Sequence, residues 1–130
     1  MRYLGIDYGT KRVGLALSDD MGEFAFPKGI VDTAQATTAI AKLCKEEGVS
    51  AIVIGESIAT NEVHNELAPR VNAFKSKLAL LTELPIFFER EGFSTVEAHR
   101  YQTDAGKRDD SAAAIILQRF LDKQVDKTKK

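Results

Sequence analysis

Tyr3-Leu4-Gly5-Ile6-Asp7-Tyr8-Gly9-Thr10-Lys11-Arg12-Val13-Gly14-Leu15-Ala16-Leu17 holds two apolar runs around a turn. Residues 3–7 and 13–17 are short and rich in branched side chains, so each predicts a buried strand. Gly9-Thr10 supplies the turn between them. Downstream, Asp19-Asp20-Met21-Gly22 is a second turn, because Asp tolerates tight backbone angles and Gly supplies positive φ. Residues 23–31 then predict a third strand. Pro27 interrupts it, which suits a sheet edge or a bulge. Three strands on tight turns make an antiparallel meander.

Beyond residue 31 the period changes. Ala36, Ile40 and Leu43 mark a helix over 34–47, with Gly48 as its stop. Residues 51–54 predict a buried strand ended by Gly55. Val63, Leu67, Val71, Phe74, Leu78 and Leu81 recur every three or four residues and mark a second amphipathic helix. Pro69 predicts that this helix starts nearby or kinks. Residues 85–88 predict a fifth strand. Ser94-Thr95-Val96-Glu97 is a capping box that opens another helix. Ala113, Ile116, Leu117, Phe120 and Leu121 mark a final one. The order β-β-β-α-β-α-β-α-α predicts an α/β fold. Its sheet is mixed and five-stranded, with helices on both faces, in the ribonuclease H-like arrangement.

Composition is that of a globular protein. The 130 residues are 44% hydrophobic and 28% charged, which excludes general disorder. The length predicts one domain, residues 1–123, followed by a flexible basic tail, 124–130, carrying Lys127, Lys129 and Lys130. No apolar run approaches the ~20 residues of a membrane span. The opening residues reach Asp7 too early for a signal peptide, and Cys44 is the single cysteine, so the expectation is a cytoplasmic protein without disulfides. Eighteen basic against nineteen acidic residues give −1, which argues against a nonspecific nucleic-acid coat but leaves room for an acidic site with a basic rim.

Asp7 ends an apolar strand beside a turn. A carboxylate there suits a hard cation such as Mg²⁺, or simply hydrogen-bonds its own turn; the residues leave both open. Glu89 and Glu91 follow the predicted fifth strand, and Asp7 and Glu91 can meet if their strands are neighbours. Asp109 and Asp110 stand before the final helix, where at least one serves as a cap. Three carboxylate positions at element ends fit a two-metal site for phosphodiester hydrolysis. Lys107 and Arg108 suit phosphate neutralisation. His64 and His99 have no second ligand at metal spacing and read as surface or capping residues.

Together, three stretches resemble the YqgF/RuvX family, ribonuclease H-like proteins assigned to Holliday-junction resolution and pre-16S rRNA processing. Asp7-Tyr8-Gly9-Thr10-Lys11-Arg12-Val13-Gly14 resembles the family's Asp-x-Gly-x-Lys-x-x-Gly motif. Glu91-Gly92-Phe93-Ser94-Thr95-Val96-Glu97-Ala98 resembles its Glu-Arg-Leu-Ser-Thr-x-x-Ala motif. Asp109-Asp110-Ser111-Ala112-Ala113-Ala114-Ile115-Ile116-Leu117-Gln118 resembles its Asp-x-x-Ala-Ala-x-x-Ile-Leu-Gln motif. The first motif is shared with actin-like kinases, whose two-domain cleft this length does not accommodate.

The resemblance implies a Mg²⁺- or Mn²⁺-dependent nuclease acting on structured RNA or branched DNA, leaving a 5′-phosphate and a 3′-hydroxyl. Asp7, Glu91 and Asp109 would be the catalytic and metal-holding triad. Thr10, Lys11, Arg12, Lys107 and Arg108 would line the nucleic-acid path. Register of the third motif selects Asp109 over Asp110. Monomer and homodimer are both compatible. Gly92 stands where the family has Arg, leaving Arg90 as the nearby guanidinium. Gly55-Glu56-Ser57-Ile58-Ala59-Thr60-Asn61 replaces a Gly-Leu-Pro-like loop, and Glu56 adds a carboxylate there. These departures carry the alternative of a nucleic-acid-binding or ribosome-associated factor with weakened catalysis.

Overall fold

The computed structural model describes residues 1–57, 64–91 and 109–128, with backbone alone at 56–57, 64–68, 90–91, 109–111 and 125–128. The predicted meander is present: β1 (Arg2–Asp7), β2 (Arg12–Ser18) and β3 (Ala25–Asp32) pair antiparallel in sequence. A 3₁₀ turn (Thr33–Gln35) leads into α1 (Ala36–Glu47), so the first residues of the expected helix are wound more tightly. Gly48 stops α1 in the left-handed conformation, φ 66° and ψ 41°. Next come β4 (Val49–Ser57), α2 (His64–Thr82), β5 (Ile86–Glu91) and α3 (Asp109–Thr128). The sheet order is β3-β2-β1-β4-β5, with β4 parallel to both β1 and β5. This is the mixed five-stranded sheet that the order of elements predicts.

Several boundaries differ from expectation. β4 does not end at Gly55 but runs to Ser57, because Gly55, Glu56 and Ser57 pair with Glu89, Arg90 and Glu91 of β5. Glu89 and Glu91 therefore lie inside β5 rather than after it. α2 begins five residues before Pro69 and continues through it, giving up one amide donor. α3 starts at Asp109 and runs to Thr128, so most of residues 124–130 has helical backbone. The capping box at 94–97 lies outside the described residues.

Each face of the sheet has its own core. Leu4, Ile6, Val13, Leu15, Val49, Ile52 and Ile54 pack against Ile40 and Cys44 of α1 and Val71, Phe74 and Leu78 of α2. On the other face, Ala16 and Val53 pack against Ala113, Ile116, Leu117, Phe120 and Leu121 of α3. Gly5 belongs to this second face. A Cβ there would lie 2.7 Å from Leu117 Cβ and 3.0 Å from the Ala113 carbonyl, so α3 rests almost on the β1 backbone.

β3 is an edge strand, as Pro27 predicts. The register slips between Leu15, which pairs with Gly29, and Ala16, which pairs with Pro27; the resulting bulge leaves Lys28 without a partner residue on β2. The hairpin before it closes on Asp19, whose Oδ1 accepts the amides of Glu23 (2.7 Å) and Phe24 (3.0 Å). Those amides, that of Phe24 foremost, hold the Asp19 carboxyl below its ordinary value. Among the described residues no helix is long and apolar enough to cross a membrane.

Candidate active site at the carboxyl edge of the sheet

β1, β4 and β5 run parallel, so their carboxyl ends share one sheet edge. Asp7 is the last residue of β1, half-buried, opposite Gly14 of β2. Strand alternation puts it on the same face as Gly5, the face that α3 covers. Phe120 packs on Tyr3 (centroids 5.6 Å apart), while Leu117 and Ala113 lie over Gly5. Followed toward its N-terminus, α3 thus runs along β1 toward Asp7. Its first residue is Asp109.

The loop after Asp7 is pinned. The Thr33 hydroxyl donates to the Gly9 carbonyl at 2.7 Å, and the Thr33 amide to the Lys11 carbonyl at 3.0 Å. Gly9 is required because a Cβ would meet the Arg12 carbonyl oxygen at 2.3 Å. Tyr8 stacks at a tilt on Phe74 of α2, centroids 5.0 Å apart. Thr10 and Lys11 on this fixed loop and Arg12 at the start of β2 are exposed. A tight loop with outward cations beside a strand-end carboxylate suits contact with a phosphodiester backbone.

β1 and β5 are not neighbours, because β4 lies between them. Two strand spacings, about 9.6 Å, therefore separate their backbones. Ile6 pairs with Ile54 and Ile54 with Phe88; one residue further, Asp7 is level with Gly55, which pairs with Glu89. Glu91 is two residues beyond that level, opposite Ser57. The backbone thus brings Asp7, Glu91 and Asp109 to one edge of the sheet, from β1, β5 and the start of α3. Lys107, Arg108 and Gly92 lie outside the described residues, as do His99 and residues 58–61 of the altered loop; His64 begins α2.

Glu89 is the site-proximal residue that sequence reasoning placed wrongly. It is 3% exposed, and its Oε2 accepts from Lys123 Nζ at 2.6 Å and stands 3.9 Å from Arg119 Nε. Arg119 and Lys123 stand four residues apart, which puts both cations on one side of α3. Nothing in the strand itself points to partners thirty residues away.

Carboxylate oxygens from three elements are the donor set that Mg²⁺ or Mn²⁺ takes, and Asp7 at a half-buried strand end fits that role. Among the described residues no three His, Cys, Asp or Glu side chains are grouped to hold a metal; Glu91 and Asp109 are described by backbone alone.

A sequence profile described as "RuvX: Holliday junction resolvase" matches residues 1–123. The chain belongs to the RuvX family. Relatives from Lawsonia intracellularis and Dictyoglomus turgidum, each named "Putative pre-16S rRNA nuclease", are 37% and 36% identical, with 94% of both chains covered in each case. Among solved structures, Thermus thermophilus RuvC in complex with a Holliday junction substrate superposes with a TM-score of 0.63 over 96% of each chain, at 13% identity. That likeness establishes the ribonuclease H-like fold for this RuvX chain. The first residues of its three motifs, Asp7, Glu91 and Asp109, are the last of β1, the last of β5 and the first of α3.

Proposed function

We propose that the chain is a metal-dependent nuclease of structured nucleic acid, acting in pre-16S rRNA 5′-end processing or in Holliday-junction resolution. Family membership and the named relatives support the nuclease reading. The observation that carries the site is the convergence of Asp7, the end of β5 and the start of α3 on one sheet edge. Asp7 and Asp109 hold Mg²⁺ or Mn²⁺, and Glu91 holds metal or orients the attacking water. A divalent cation supplies charge stabilisation and an activated water to phosphodiester hydrolysis. Thr10, Lys11 and Arg12 contact the backbone of the substrate, with Lys107 and Arg108 on the same path. Residues 1–123 form the nuclease domain. Of the two substrates, precursor RNA is preferred, since both relatives carry the name "Putative pre-16S rRNA nuclease".

The test is cleavage of precursor ribosomal RNA, a four-way DNA junction and linear controls by the purified protein, with Mg²⁺, Mn²⁺ or chelator. Metal-dependent cleavage of one structured substrate supports the reading. Tight binding without cleavage establishes instead the weakened factor that Gly92 suggests. Replacing Lys107 and Arg108 flattens the salt dependence of binding by about one unit per lost phosphate contact.

A further inference from the structure

Glu89 sits in β5 two residues from Glu91, level with Asp7 and on the face that α3 covers. It is buried, and the two cations that hold it both belong to α3. A buried ion pair is a poor source of stability, because desolvation offsets the attraction. What it does well is fix one arrangement of two elements. We propose that Glu89, Arg119 and Lys123 form a clamp that sets the position of α3 on the sheet, and through it the position of Asp109 in the metal site. This rests on the nuclease reading above, and Glu89 is a positioning residue in it.

The lever is visible in the packing. The pivot is Leu117, whose Cβ lies 2.7 Å from a Cβ built at Gly5. At 1.5 Å per residue, Lys123 lies about 9 Å from Leu117 on one side and Asp109 about 12 Å on the other. A 1 Å displacement at the clamp therefore moves the start of α3 by about 1.3 Å, if the helix moves as a rod. Metal–ligand distances tolerate about 0.2 Å. Opposite the clamp, Gln118 accepts the Ala25 amide at 2.9 Å and donates to the Glu23 carbonyl at 2.9 Å. Polar contacts thus hold α3 on both flanks, toward β3 and toward β5. The apolar contact near the clamp, Phe120 between Tyr3 and Phe87, has no comparable directionality. Lys123 is half exposed at its side chain, so the clamp can be opened from the surface without carving the core.

The experiment compares Glu89→Gln, Lys123→Met and Lys123→Arg with the unaltered protein. It measures Mn²⁺ binding by calorimetry, and kcat and KM on the cleaved substrate. Glu89→Gln and Lys123→Met weaken Mn²⁺ binding at least fivefold and lower kcat at least tenfold, with KM within twofold. Lys123→Arg, which keeps the charge and the reach, stays within twofold of the unaltered protein throughout. Mn²⁺ affinity unchanged in both disrupting variants overturns the clamp, even if their melting temperatures fall, because a merely structural pair would show that pattern. If Glu89→Gln does not fold, Lys123→Met decides alone. An unaltered protein that binds Mn²⁺ but cuts nothing refutes the nuclease reading while the binding data still test the clamp; one that binds no Mn²⁺ overturns both.

Discussion

The two faces of the sheet are built on different principles. Under α1 and α2 the contact is a continuous apolar layer, from Leu4 and Ile6 through Ile52 and Ile54 to Phe74 and Leu78. Under α3 the layer is thinner: its buried sheet residues are the small Gly5, Ala16 and Val53, with Tyr3 and Phe87 packing on Phe120 at the margin. Polar contacts at Gln118 and Glu89 flank it. Apolar layers supply free energy but little direction, whereas hydrogen bonds and close backbone contact fix register. The candidate site lies on the α3 face. The comparison therefore assigns stability mainly to one side of the sheet and geometry to the other.

Replacing the site carboxylates gives the largest separation. Asp7→Asn and Asp109→Asn are each expected to lower metal-dependent turnover by about 10³-fold, the scale of losing one preorganised electrostatic group. Each keeps the parent melting temperature within about two degrees, as seen by calorimetry. Turnover that persists in Asp7→Asn removes Asp7 from the site, and gross unfolding makes it a turn residue instead.

Ile40→Ala probes the opposite face. Ile40 is fully buried in α1, and truncation is expected to cost about 2–5 kcal/mol in urea unfolding. Turnover per folded molecule at low temperature stays at the parent value. A large fall in kcat there would erase the division between the faces.

Gly5→Ala sharpens it, since the new methyl must lift α3 from β1. Overpacking of this kind costs about 1–3 kcal/mol. Because the pivot itself moves, turnover falls with it, about tenfold. A stability loss with unaltered turnover would mean that α3 adapts without displacing Asp109.

The smallest effect is a pH dependence confined to the α1 and α2 face. Burial pushes the Cys44 thiol up from 9.0 to about 11. The folded state favours the neutral thiol, so its stability is intact below pH 9 and declines as the unfolded chain ionises between about pH 9 and 11. The loss is on the order of 1–2 kcal/mol. Cys44→Ser or Cys44→Ala melts that no longer show this alkaline decline, set against the parent protein, verify the cause; an identical decline in both assigns it elsewhere.

How far these features were legible follows from their range along the chain. The meander is local: the short apolar runs of β1 and β2 and the turn at Asp19–Gly22 declare it, and Pro27 declares an edge. Gly48 reads as a helix stop because a left-handed residue at that point is a local requirement. Gly55 misleads for the opposite reason. Glycine lowers strand preference, but pairing with β5 outweighs it. Glu89 is the clearest case. A carboxylate just past a short apolar run reads as lying beyond the strand until Arg119 and Lys123 are brought beside it by the fold. Of the site, Asp7 and its pinned loop were legible in one motif. The expectation of Asp109 rather than Asp110 rests on motif register alone, since the two straddle the apolar face of the final helix almost evenly. The gap between β1 and β5 required the strand order, which no single segment encodes.

The bulge on β3 has a consequence for the chain outside its own fold. Phe24, Phe26 and Ile30 are exposed along the open border of the sheet, and a regular strand of that character is a template on which foreign β-structure can grow. Pro27 removes a donor from the middle of it, the slipped register bends it, and Lys28 places a charge at the bend. Ordered fibrils need an unbroken run of backbone groups. Pro27, Lys28 and the slipped register between them deny such growth a straight seam, during synthesis as much as in the finished protein.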